Sequence, residues 1–187
     1  MSGSHTYTQP LKAPTTSSSR TQQAPSVKKR SHDDPYTSGL ALLARRELFT
    51  EELRGRLLRQ GYNARQVEEA IRRLTARGAL NNLRAAKAYA RHAIQNKSRG
   101  RSRVLKELDQ RGVNPSDSQQ ATDEAYSDVN ETILLSRVIS RKLSGPIINQ
   151  AHFRRLYAAL LRQGFDGTDI VKLLKAKIAS TDFSLDQ

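Results

Sequence analysis

Leu58-Arg59-Gln60-Gly61-Tyr62 returns along the chain as Leu161-Arg162-Gln163-Gly164-Phe165, and a weaker copy, Asp109-Gln110-Arg111-Gly112-Val113, lies between them. The three glycines are separated by 51 residues (61 to 112) and 52 residues (112 to 164). Four positions before each glycine stands a leucine, at Leu57, Leu108 and Leu160, and eight before stand Leu53, Val104 and Leu156. Two positions after stand Asn63, Asn114 and Asp166. Each matched position has a physical task. Apolar residues four apart line one helix face, and a glycine just past a helix takes the left-handed conformation that ends it. The apolar residue after the glycine packs back on the last turn, and Asn or Asp caps the helix that follows.

Gly61, Gly112 and Gly164 are therefore expected as helix C-caps within a unit of about fifty residues, a helix followed by helix, glycine turn and helix. In the first unit Leu40, Leu43 and Ala44 mark one helix, and Thr50 is expected to cap a second that carries Leu53, Leu57 and Leu58. Asn63 should cap a third, with Val67, Ala70, Ile71 and Leu74 on one face and Gly78 as its stop. The second unit begins near Asn82 with Leu83, Ala86, Tyr89, Ala90 and Ile94, continues with Val104, Leu105 and Leu108, and has a thin third helix around Ser118 to Tyr126. The third carries Ile133, Leu134 and Val138, then Phe153, Leu156, Leu160 and Leu161, then Ile170, Leu173, Leu174 and Ile178. The expected fold is all-α, an elongated tandem array of three three-helix, helix-turn-helix-like repeats. Its expected divisions are 36–81, 82–127 and 128–180, flanked by tails at 1–35 and 181–187. The first tail, dominated by Ser, Thr, Gln and Pro from Tyr7 to Ser26, is expected to be disordered.

Composition narrows the function. With 36% hydrophobic and 5% aromatic residues, 187 residues suit small stacked cores better than one large centre. The chain has no cysteine, which removes disulfides, thiolate metal sites and cysteine nucleophiles and agrees with a reducing cytoplasm, the expected location. No apolar run approaches the roughly 18 residues of a membrane span. The net charge of +14, from 32 basic and 18 acidic residues, points to a polyanionic partner: nucleic acid, a nucleoprotein or an acidic protein surface.

Catalysis has no foothold. A phosphate-binding loop of the Gly-x-x-x-x-Gly-Lys-Ser/Thr type is absent. His5, His32, His92 and His152 stand far apart, without a second histidine at metal-ligand spacing, and read as surface or packing residues. Glu51-Glu52 and Glu68-Glu69 fall in or near first turns, where they suit the helix dipole. We expect no catalytic residue, no metal and no cofactor. Arg91, Lys97, Arg99, Arg101, Arg103, Lys106 and Arg111 face only Glu107 and Asp109 within their segment, and are the expected contacts to DNA or an anionic protein surface. The other reading of that segment is a solvated loop and helix face. Gly100, with Ser98 and Ser102 beside it, would let the N–H groups of the next helix approach a phosphate. Base reading by all three units does not fit. Ala64-Arg65-Gln66 after Gly61 could contact base edges, but Pro115-Ser116-Asp117 and Gly167-Thr168-Asp169 put an acid against phosphates.

Over about residues 36 to 180 the motifs resemble the RecX family, bacterial regulators of the RecA recombinase. The resemblance rests on Leu42-Leu43-Ala44-Arg45-Arg46 followed by Glu52-Leu53, on Leu57-Leu58-Arg59-Gln60-Gly61-Tyr62, on Arg99-Gly100-x-x-x-Val104-x-x-Glu107-Leu108-x-x-Arg111-Gly112-Val113, and on Leu161-Arg162-Gln163-Gly164-Phe165. The family has an acidic pair and usually Arg-Phe after the first unit; here Asn81-Asn82-Leu83-Arg84-Ala85 stands there, and only Arg84 matches. The protein is expected to be monomeric and not an enzyme. The resemblance implies an elongated stack of three-helix units lying in the helical groove of a RecA filament on single-stranded DNA. It also implies modulation, usually inhibition, of RecA's ATP hydrolysis and strand exchange, with some nonspecific DNA affinity and with ATP as RecA's ligand. The rival reading is a nonspecific DNA-binding or architectural protein without a recombinase partner.

Overall fold

The computed structural model of the chain describes residues 34–178, so the two tails lie outside it apart from Asp34 and Pro35. Among the described residues there are nine helices: α1 Pro35–Leu43, α2 Thr50–Arg59, α3 Ala64–Ala76, α4 Asn82–Lys97, α5 Arg101–Asp109, α6 Pro115–Tyr126, α7 Glu131–Lys142, α8 Gln150–Arg162 and α9 Gly167–Lys175. The fold is all-α, a tandem array of three helix triplets, and its one β-type pairing among these residues is an isolated bridge between Ile147 and Ile178. Ile178 thus lies beyond α9 rather than on it, because the chain leaves the helix at Lys175 and Ile147 N–H instead bonds the Lys177 carbonyl at 2.9 Å.

Helix starts follow the polar residues of the repeat. Asn63 accepts from Gln66 N–H and Gln66 returns the bond, a capping box; Asn114 accepts from Asp117 N–H, with Pro115 as first helical residue; Asp166 accepts from Thr168 and Asp169. Gly61, Gly112 and Gly164 have φ of 95°, 71° and 91°, and Gly78 has 68°. In each repeat the apolar residue after the glycine reaches back to the last turn: Tyr62, Val113 and Phe165 N–H bond the carbonyls of Leu57, Leu108 and Leu160.

Thr50 does not cap α2. It is the first helical residue, and both its N–H and its hydroxyl donate to Asn82 Oδ1 at 3.0 Å. Asn82 therefore caps the neighbouring triplet's helix rather than its own, while Asn81 caps α4 through Arg84 N–H at 2.9 Å. Two adjacent asparagines serve two helices, which no periodicity in the sequence reveals.

Each triplet has a small core. Leu48, Leu53, Leu57, Val67, Ile71, Leu74 and Leu80 form the first, and Leu134, Leu135, Val138, Ile139, Ile147, Phe153, Leu156, Leu160, Phe165, Ile170 and Leu174 the third. The middle core is built mostly from alanine (Ala85, Ala86, Ala90, Ala93, Ala121) with Val104, Leu108, Val113 and Tyr126, and it borrows Phe49 from the segment before α2. The thin third helix of that unit is workable because α4 packs against it: small Ala121 shares a core with the α4 alanines, and the buried Thr122 hydroxyl donates to the Ser118 carbonyl. Ile94 packs on both the second and third cores.

Candidate nucleic-acid interface

The structure divides the seven basic residues of segment 91–111 into two groups. Glu107, 6% exposed, organises the first. Its carboxylate accepts from the Tyr89 hydroxyl and from Arg103 Nε at 2.7 Å, and Arg99 Nη2 approaches to 3.7 Å. Arg111 lies over the Tyr89 ring, 4.2 Å from its centroid, and donates to the Glu107 carbonyl. Burial pushes the Glu107 carboxyl up, but the Tyr89 hydroxyl and Arg103, with the charge of Arg99, outweigh it and hold the group below the usual carboxylate range. Burial and the same bond push the Tyr89 hydroxyl up to about 12. Arg101 spans two further acids, Asp123 of α6 and Glu131 of α7, the latter at 3.2 Å, and sits 5.1 Å from the Tyr126 ring centroid.

Arg99, Arg101, Arg103 and Arg111 are thus engaged within the fold. Folding brings Asp123 and Glu131 to Arg101, so the segment is not opposed by Glu107 and Asp109 alone. Arg91 and Lys106 are exposed with no carboxylate partner among the described residues, and Lys97 is exposed with Nζ 5.5 Å from the Tyr89 ring centroid. Arg137 and Lys142 on α7, Arg154, Arg155 and Arg162 on α8, and Lys172 and Lys175 on α9 are likewise exposed and unpaired among those residues. Sequence reasoning missed these because they are spread along amphipathic helices and make no local run.

Gly100 has a different task from the one expected. Its N–H donates to the Gln163 carbonyl at 2.8 Å, so the start of α5 is covered by the α8–α9 turn. A Cβ on Gly100 would lie 2.7 Å from Phe165 N, and one on Gly164 would lie 2.9 Å from Arg103 Cα. The two glycines let two backbones touch, which closes the joint between second and third triplets. Around them the Ser98 hydroxyl accepts from Arg141 of α7 at 2.6 Å, and the Tyr126 hydroxyl donates to the Arg99 carbonyl at 2.7 Å. Ser98 itself holds φ of 48°, rare for a residue with a Cβ. The joint between first and second triplets is made by the Thr50–Asn82 bonds, an edge-to-face contact of Phe49 with Tyr89 at 6.2 Å, and the Arg84–Glu47 ion pair at 2.5 Å.

An open cleft of about 670 Å³ beside that joint is lined by Arg46, Phe49, Glu51, Glu52, Tyr89, Gln110 and Arg111. Its charged lining is paired within the fold: Glu52 engages Arg46, Glu51 engages Arg54, and Arg111 is stacked on Tyr89. Among the described residues no three His, Cys, Asp or Glu side chains gather as a metal site, and no helix is long and apolar enough to cross a membrane.

Residues 81–121 match the family model for the second three-helix domain of RecX. That stretch contains Asn82, the Ser98-Arg99-Gly100 segment and Glu107. The chain is 32% identical over 129 residues to Regulatory protein RecX of Amycolatopsis mediterranei, covering 66% of this chain and 71% of that protein. It is 31% identical over 100 residues to Regulatory protein RecX of Treponema pallidum, 54% of this chain and 61% of the relative. In fold it is similar to the crystal structure of RecX from Lactobacillus salivarius, with a TM-score of 0.58 at 16% identity, covering 76% of this chain and 93% of that one.

Proposed function

The chain belongs to the RecX family, and from that membership and its basic helix faces we propose that it is a non-enzymatic regulator that binds the RecA filament on single-stranded DNA and lowers its ATP hydrolysis and strand exchange. It would do so as a cytoplasmic monomer, with the three repeats at 36–81, 82–127 and 128–180 as successive points of attachment.

The observation that carries this reading is the even spread of positive charge. Nine basic residues meet five acidic ones in each of 36–81 and 82–127, and nine meet four in 128–180. An array charged along its whole length attaches at several points to an extended polyanion such as a nucleoprotein filament. Within the segment 91–111, Arg91, Lys97 and Lys106 are the proposed contacts to DNA or filament, while Arg99, Arg101, Arg103 and Arg111 hold the fold that presents them. An attachment that spans adjacent subunits of a polymer restrains the movements that accompany their hydrolysis cycle.

The test is the ATP hydrolysis rate of cognate RecA at fixed single-stranded DNA and salt, titrated with this protein, together with co-sedimentation. The expected result is a falling rate and recovery in the filament pellet, with no hydrolysis by the protein alone. The exposed, unpaired cations would also serve a nonspecific DNA-binding protein. An unaltered rate and no co-sedimentation beyond that given by DNA alone would favour that second reading.

A further inference from the structure

Leu58 and Leu161 occupy the same place in α2 and α8, three residues before the repeat glycine, and each is 42% exposed. The leucines before them, Leu57 and Leu160, are fully buried in their cores. Neither Leu58 nor Leu161 is a member of a core, although one edge of Leu161 lies beside Gly167 at the start of α9. The next residues, Arg59 and Arg162, are exposed and have no carboxylate partner among the described residues, although the acids near α2, Glu51, Glu52 and Glu68, all engage arginines. One exposed leucine is ordinary on a protein surface. Here the same apolar group, with the same cation after it and at the same helical address, recurs in two triplets.

The recurrence is not a by-product of free ends. The turn after Leu161 is covered by Gly100 and Arg103 of the second triplet, whereas Gly61 is exposed, yet the two leucines are equally open. The middle triplet breaks the pattern, since the matching positions are the exposed Asp109 and Gln110, which offer neither the apolar group nor the cation.

We propose that Leu58-Arg59 and Leu161-Arg162 are one docking element present twice, which engages two equivalent sites on a polymer of identical subunits, each site an apolar socket beside a carboxylate. Charge selects the socket: an unpaired guanidinium next to an apolar anchor is complementary to an acidic rim, and arginine is enriched among the residues that carry most of an interface's binding energy. Duplication selects the polymer, because two like contacts in one chain match a partner that repeats. The inference rests on the proposed filament binding and assigns it a protein-to-protein contact, which takes Arg162 out of the set of exposed cations left to meet phosphate.

The test compares the parent with Leu58→Ser, Leu161→Ser, the double serine variant, and the double variant Arg59→Glu with Arg162→Glu. Read-outs are affinity for a cognate RecA filament, affinity for bare single-stranded DNA, and the urea midpoint. Each single serine change should weaken filament binding about tenfold and the pair about a hundredfold, with DNA affinity and midpoint unchanged in the serine series. The double glutamate variant should lose filament binding at least as strongly, so a serine variant that folds poorly leaves the charge variant to decide. If the parent binds the filament and both double variants, folded, bind within about twofold of it, the docking element is wrong while the filament reading stands. If the parent does not bind the filament at all, both fall. If the leucines instead support a dimer of this chain, dissolved by the double serine change without loss of filament affinity, the polymer assignment is overturned.

Discussion

Replacing Gly100 by alanine adds one methyl group at the closest backbone approach between second and third triplets. Gly100 has φ of −82° and ψ of 163°, which alanine adopts freely, so the cost is one of space and not of conformation. The new Cβ would lie 2.7 Å from Phe165 N, with the Gly164 carbonyl nearer still, and both are backbone that cannot rotate away. The joint must open, which breaks the 2.8 Å bond from the residue 100 N–H to the Gln163 carbonyl. A buried bond left unmade costs about 1–3 kcal/mol and overpacking a similar amount, against about 0.4–1 kcal/mol gained by restricting the unfolded chain. The net expectation is a loss of about 2–4 kcal/mol at the joint. Gly145, around which a Cβ would meet nothing, is the control, and its alanine variant should be neutral or slightly stabilised. Urea denaturation with fitted slopes gives the stability, and hydrogen exchange at the residue 100 amide reads the joint directly. In Gly100→Ala that amide should lose protection, and residues 128–178 should unfold apart from the rest, lowering the slope. A midpoint and slope equal to those of the parent, with the amide still protected, would refute the reasoning.

Asn82→Ala should cost about 1 kcal/mol by uncapping α2, and the double-mutant cycle with Thr50→Val should show coupling between two helices of different triplets; additive losses would contradict the trans cap. Because Glu107 is held below the carboxylate value of 4.5, the unfolded chain takes up its proton first as pH falls. Its contribution to stability is full above that value and is lost as pH drops through the lower folded value, so acid titration of the urea midpoint should be flatter in Glu107→Gln than in the parent. Changing Arg91, Lys97 and Lys106 to alanine should leave the midpoint unchanged and reduce the salt slope of single-stranded DNA binding by roughly 0.7 for each phosphate no longer neutralised. Changing Arg99, Arg101 and Arg103 should instead lower the midpoint, and a reversed pattern between these two triples would show the division of the basic segment to be mistaken.

The all-helical repeat could be read from the chain alone because its signals are local. A glycine at φ near 90°, a leucine four residues before it and a capping Asn or Asp two after it act within one turn of backbone, and all three copies retain them. The same locality misled where a group acts across triplets. Thr50 before Glu51-Glu52 looks like the cap of its own helix, and only packing brings Asn82 of the next triplet to that place. Gly100 before a basic helix looks like an opening for phosphate, and only the approach of Gly164, distant in sequence, fills it. Composition sets the charge of the 91–111 segment but not its availability, since Asp123 and Glu131 reach Arg101 from other helices and Glu107 engages Arg99 and Arg103. Sequence determines which groups can cap, pair or bind, because those are properties of residue and period; tertiary structure decides which do, because partners far apart in the chain compete for the same atoms.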